Sequence, residues 1–221
     1  MTGTGATTPI HLVDPVAIEV GRPMILMRLG YRRPSQVPER TARLIDDVMK
    51  RGRSLLAPKA VYREITVGTA GPGAILFGET WKTESRSVHE RFAACRLAVV
   101  FAATVGPAVE SWGRDLSDSG EMTKGLLADA FGSSAATALG VALEQVVARR
   151  FAEKDLEATR RYAPGYGDWP LADQAPLFSL LDASRIGMTL TEDHLMIPAK
   201  SISGVIGGRA APDRDLGHSE R

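Results

Sequence analysis

The 221-residue chain is 24% charged and 44% hydrophobic, with a formal net charge of +1, which suits one soluble domain with short appendages. A balance so near zero offers no basic face of the kind nucleic acid requires, and the longest apolar run, residues 97–105, falls short of the roughly 18–20 residues that span a bilayer. A single cysteine, Cys95, excludes an intramolecular disulfide and fits a reducing cytoplasm.

Residues 1–20 have neither the cationic start nor the apolar core of a secretory signal and read as a flexible tail. Residues 37–56 place Val37, Leu44, Ile45, Val48, Met49, Leu55 and Leu56 at helical spacing, with Pro38 tolerated in the first turn. An alternating run rich in β-branched residues, 60–67, and the segment 74–81 flank a Gly-Pro-Gly turn and predict a hairpin. Residues 96–106 are continuously apolar, as in a central strand buried on both faces. From Met122 to Phe151 a helical stretch runs without proline. Gly132, Ala136 and Gly140 recur in it every four residues, a stripe without bulk. Each glycine costs about 1 kcal/mol of helix propensity relative to alanine, so close packing against the sheet is the expected compensation.

Residues 160–170, RRYAPGYGDWP, form a dense turn that carries two large rings, Tyr166 and Trp169. A helix over 170–183 follows, packing through Leu171, Phe178 and Leu181. Strands over 188–191 and 199–206 come next, joined by a turn from Asp193 to Pro198, and residues 209–221 read as a disordered polar tail. Clustered strands with helices intervening predict one α+β domain over 21–208 rather than regular βαβ alternation.

The common enzymatic motifs GxGxxG, GxxxxGK[ST], GxSxG and HExxH are missing. The glycines of 68–78 lie between two strands and read as hairpin turn chemistry rather than a phosphate cradle. His11, His89, His194 and His218 stand in no metal-ligand spacing with Cys95, so no protein-held metal site is expected. Two polar segments remain. In the first, Arg160 or Arg161 offers a bidentate grip on a carboxylate, Tyr166 offers a ring and a hydroxyl, and Gly165 and Gly167 keep the backbone bare. In the second, Thr191, Glu192, Lys200, Ser201 and Ser203 gather near strand ends. The residues alone lead as far as a small-molecule cleft.

Together these segments carry an ordered signature: Arg161, Pro164-Gly165-Tyr166, Pro170, Leu190-Thr191-Glu192, Met196-Ile197-Pro198 and Ser201-Ile202-Ser203-Gly204. It resembles the C-terminal activation domain of cobalamin-dependent methionine synthase, and more closely the short stand-alone relatives of that domain. The resemblance spans roughly residues 23–208. It implies a C-shaped, helmet-like α+β domain with a bent antiparallel sheet and flanking helices. It also implies a cytoplasmic role in methionine biosynthesis. When a cobalamin has been oxidised to cob(II)alamin, such a domain docks on the cobalamin protein and presents S-adenosylmethionine, while flavodoxin, ferredoxin or another reductase supplies an electron. By the same resemblance Arg161 would bind the methionine carboxylate, the backbone around Ala163 and Gly165 would hold the adenosyl end, and Tyr166 would face the corrin. Pro164, Glu192 and Ser133 or Ser134, placed where the family's long helix supplies a glutamate, would line the site. The chain departs from the family in lacking an Asp-Trp-x-Pro-Phe stretch and a tyrosine beyond Gly208, and it holds no Asp-x-His-x-x-Gly cobalamin motif. The expected function is reactivation in trans of a corrinoid protein or truncated methionine synthase that carries the cobalamin. The alternative is a docking module that does not bind S-adenosylmethionine.

Overall fold

The computed structural model describes residues 8–211. In chain order the elements are β1 (Ile10–Val13), α1 (Arg22–Arg28), α2 (Glu39–Arg53), β2 (Lys59–Thr69), β3 (Ile75–Phe77), β4 (Trp81–Thr83), α3 (Arg86–Phe92), β5 (Cys95–Thr104), α4 (Ala108–Asp118), α5 (Met122–Ala152), β6 (Leu156–Ala158), α6 (Gln174–Ser179), β7 (Thr189–Leu190), β8 (Met196–Ile197) and β9 (Ser201–Ala210). Seven strands form one sheet in the order β4-β3-β2-β5-β9-β6, with β1 added to β2, and β7 pairs separately with β8. All pairings are antiparallel. The mixture of helices with an antiparallel sheet is the α+β architecture that the spacing of strands and helices predicts.

The apolar run of β5 is central for the reason its composition gives. Val99, Phe101 and Ala103 pack into one core, while Ala98, Val100 and Ala102 face a second core across the sheet, as the two-residue period of a strand requires. The first core is closed by α1, α2 and α5, and the second by α3, α6 and the segment around Trp169. Long and apolar enough to cross a bilayer, α5 has 67% of its most apolar window buried inside the fold.

Three expectations shift. Residues 10–20 are not a tail: β1 runs against Ala60–Arg63 of β2, and Val16 and Val20 are buried. A four-residue edge strand carries too little alternation to be legible, because its partner lies some fifty residues on and tertiary pairing decides its state. Arg209 and Ala210, assigned to the polar tail, end β9. The helix expected over 170–183 is shorter, a 3-10 turn at Leu171–Asp173 leading into α6. The remainder of both expected tails, residues 1–7 and 212–221, lies outside the described residues.

Candidate functional site

A cleft of about 380 Å³ opens between the C-terminal half of α5, the loop at 160–166 and the start of β9, within the range of roughly 300–1,000 Å³ usual for small-molecule sites. Its place follows from the sheet. The outer edge of β9 pairs with β6 at 208–210 and with Tyr162 at Val205, and between Ser201 and Ser203 that edge has no strand partner among the described residues. The cleft occupies the space where a further strand would lie.

Both ends of the 160–170 loop are pinned. At its start, Glu144 of α5 accepts from the Arg161 main-chain N–H at 3.0 Å and from the Arg161 guanidinium Nη1 at 2.9 Å. At its end, the Asp168 carboxylate accepts from the Ser87 and Ser85 hydroxyls and from the main-chain N–H groups of Arg86 and Ser87. Those hydrogen bonds, Ser87 foremost and then Ser85, hold the Asp168 carboxyl well below the usual carboxylate range. Trp169 is buried against Tyr162, Trp81 and Phe77, with ring centroids 5.6–6.1 Å apart, and donates from Nε1 to Asp173. Arg91 lies 4.3 Å from the centroid of the Tyr162 ring on its face. A turn this dense in glycine and proline is therefore pinned by side chains at both ends.

Arg160, Arg161, Ala163, Pro164 and Tyr166 all line the cleft. Tyr166 is 66% exposed at its rim. The glycines do something other than leave room for a ligand. Gly165, at φ +92°, would direct a Cβ at Leu171, and Gly167, at φ +58°, would direct one at the Tyr162 hydroxyl, so turn conformation and internal packing require them. The Gly165 N–H donates to Trp169 O and the Ala163 carbonyl accepts from Tyr166 N–H, so both are spent inside the turn, and Gly165 itself, unlike Ala163 and Pro164, does not line the cleft.

Ser133, Ser134 and Glu192 are not brought to the cleft. Ser134 is fully buried and donates to Ala130 O at 2.8 Å, Ser133 accepts from Lys200 Nζ at 2.9 Å, and Glu192 is exposed at the turn between β7 and β8. The acidic residue that α5 brings to the cleft is Glu144, about three helical turns beyond Ser133. The small-residue stripe points to it: Gly132, Ala136 and Gly140, continued by one more step of four, reach Glu144. A Cβ on Gly140 would stand 3.0 Å from both Arg161 Cζ and Ile202 Cδ1, so the stripe packs on the sheet as expected and also seats the arginine. Thr137, Gln174, Met196, Ser201 and Ser203 complete the wall.

Residues 95–213, more than half of the chain and every cleft residue among them, match the model of the family described as vitamin B12 dependent methionine synthase, activation domain. The chain belongs to that family. Among solved structures, this activation domain is similar to the MetH reactivation domain crystallised with AdoHcy, at 15% identity and a TM-score of 0.68, over 94% of this chain and 80% of that one. At that identity the likeness establishes the fold, and it extends the similarity to the N-terminal strand and helices that the family match leaves out. No curated protein matches the chain.

Proposed function

We propose that this activation domain binds S-adenosylmethionine in the cleft beside β9 and presents it to a cobalamin carried by a separate corrinoid protein, reactivating that protein in trans. The observation that carries the reading is the juxtaposition of Arg161 with Glu144 under the PGY turn. A free α-amino acid end is a zwitterion, and an arginine fork beside a carboxylate is its complement: Arg161 takes the carboxylate and Glu144 takes the ammonium. Glu144 thus supplies an acidic contact from α5 where the linear comparison with the family finds only serines. The neutral half of the ligand then lies along the loop towards β9, against Ala163 and Met196. S-adenosylmethionine supplies an activated methyl group when bound. The protein's part is to hold it with that group turned outward, and exposed Tyr166 at the rim is the side chain positioned to meet the partner's corrin face. The solved relative's complex with AdoHcy, the demethylated form of the same ligand, supports this reading.

The test is spectroscopic. A cob(II)alamin-loaded corrinoid partner, a reductant such as reduced flavodoxin, and S-adenosylmethionine are mixed with and without the chain. The methylcobalamin spectrum should appear only with the chain, and Arg161→Ala should slow its appearance at limiting S-adenosylmethionine. Reactivation that proceeds equally well without S-adenosylmethionine, or with Arg161→Ala at the wild-type rate, would refute the assignment and favour a docking module.

A further inference from the structure

Ser201 opens β9 at the wall of the cleft, only 7% exposed, and its hydroxyl has no hydrogen-bond partner among the described residues. A buried hydroxyl left unpaired is costly, and native folds seldom keep one without a purpose. The other polar side chains around it are spent. Ser203, on the same face of the strand, donates to Gln174 Oε1 at 2.6 Å, Gln174 donates in turn to His194 O at 3.1 Å, and Thr137 donates to Ser133 O while accepting from Arg28. The second orphaned group, Trp81 Nε1, belongs to the aromatic core and does not line the cleft.

Strand geometry says which part of a ligand Ser201 meets. Ile202 shares the space over Gly140 with the Arg161 guanidinium. Successive side chains of a strand point to opposite faces, so Ser201 stands on the other side of β9 from the arginine, away from the amino-acid end. We infer that Ser201 is a ligand-contacting residue whose hydroxyl hydrogen-bonds the nucleoside half of the S-adenosyl ligand. This inference rests on the proposed function, and it accounts for the one buried side-chain polar group of the cleft wall that is left unpaired among the described residues. A hydroxyl both donates and accepts, so it suits a ribose hydroxyl or an adenine ring nitrogen equally.

Calorimetry on the full chain tests it with two probes, S-adenosylhomocysteine and 5′-methylthioadenosine, which carries the same nucleoside without the amino-acid end. Ser201→Ala should weaken both by about tenfold, the loss expected for one buried hydrogen bond. Arg161→Ala should weaken only S-adenosylhomocysteine, and Ser201→Thr, which keeps the hydroxyl, should retain affinity for both. Without ligand, Ser201→Ala should melt no lower than wild type, because it removes an unpaired polar group. A lower melting temperature would mean that the hydroxyl has a structural partner and overturns the inference. Unchanged affinity of Ser201→Ala for both probes, or a loss confined to S-adenosylhomocysteine, also overturns it while leaving the amino-acid clamp intact. Failure of the wild-type chain to bind either probe overturns the proposed function and this inference with it.

Discussion

Gly140→Ala is the most informative single change, because it alters the cleft without removing any group that would touch a ligand. The added Cβ would stand 3.0 Å from Arg161 Cζ and 3.0 Å from Ile202 Cδ1. Non-bonded carbons rest at about 3.5–4.0 Å, so the guanidinium has to give by a few tenths of an ångström. It is held 2.9 Å from Glu144, and a shift of that size away from Glu144 brings the pair to the roughly 3.2 Å limit of a good hydrogen bond. Alanine gains about 1 kcal/mol of helix propensity over glycine, which offsets the crowding, so stability should change by less than about 1 kcal/mol. Binding should not be spared. The Arg161–Glu144 pair is itself partly exposed and contributes little to folding, but a displaced guanidinium also misaligns its proposed charge-assisted hydrogen bond to the ligand carboxylate, which removes about 1.5–3 kcal/mol, or about ten- to a hundredfold in affinity. The assay pairs calorimetric titration of S-adenosylhomocysteine with urea unfolding of the same preparations. Wild-type affinity in Gly140→Ala would refute the reasoning, as would a loss of stability as large as the loss of binding free energy.

Three further changes separate anchoring from recognition. Trp169→Ala empties a fully buried site shared with Tyr162, Trp81 and Phe77 and should cost about 3–5 kcal/mol in denaturant unfolding. Tyr166→Ala should leave unfolding within about 0.5 kcal/mol of wild type yet slow methylcobalamin formation with a corrinoid partner, since the exposed ring packs little and faces outward. Asp168→Asn should loosen the loop in a pH-dependent way. The folded-state pKa of Asp168 is depressed by its four hydrogen-bond donors. Its contribution is therefore present above the unfolded value of about 3.9 and is lost as pH falls through the folded value. Wild type should exceed the variant by a constant margin from pH 7 down to about pH 4, and the margin should shrink below that. A margin already shrinking between pH 7 and 5, followed by thermal melting, would contradict the assignment.

The parts of this fold that announce themselves locally were legible. The continuous apolar run of β5 marks a strand buried twice over, the proline-free stretch from Met122 marks α5, and Arg161 with Pro164-Gly165-Tyr166 marks the loop beside the cleft. What stayed hidden depends on partners far along the chain. Residues 10–13 become a strand only because β2 offers an edge. Ser201 looks like any polar residue at a strand end until the fold buries it without a partner. Glu144 stands in ALEQVV, where nothing local marks it as a cleft residue. Its helical phase with Gly140 was nonetheless in the sequence, and a bare stripe that ends in a carboxylate is a pattern that periodicity can detect.

The zwitterion clamp at Arg161 and Glu144 is tested most directly by calorimetric titration of the full chain with S-adenosylhomocysteine. Saturable one-to-one binding is predicted, weakened by Arg161→Ala and by Glu144→Gln in variants that melt as wild type does. Absence of heat from the wild-type chain, together with no ligand-induced shift in its melting temperature, would contradict it.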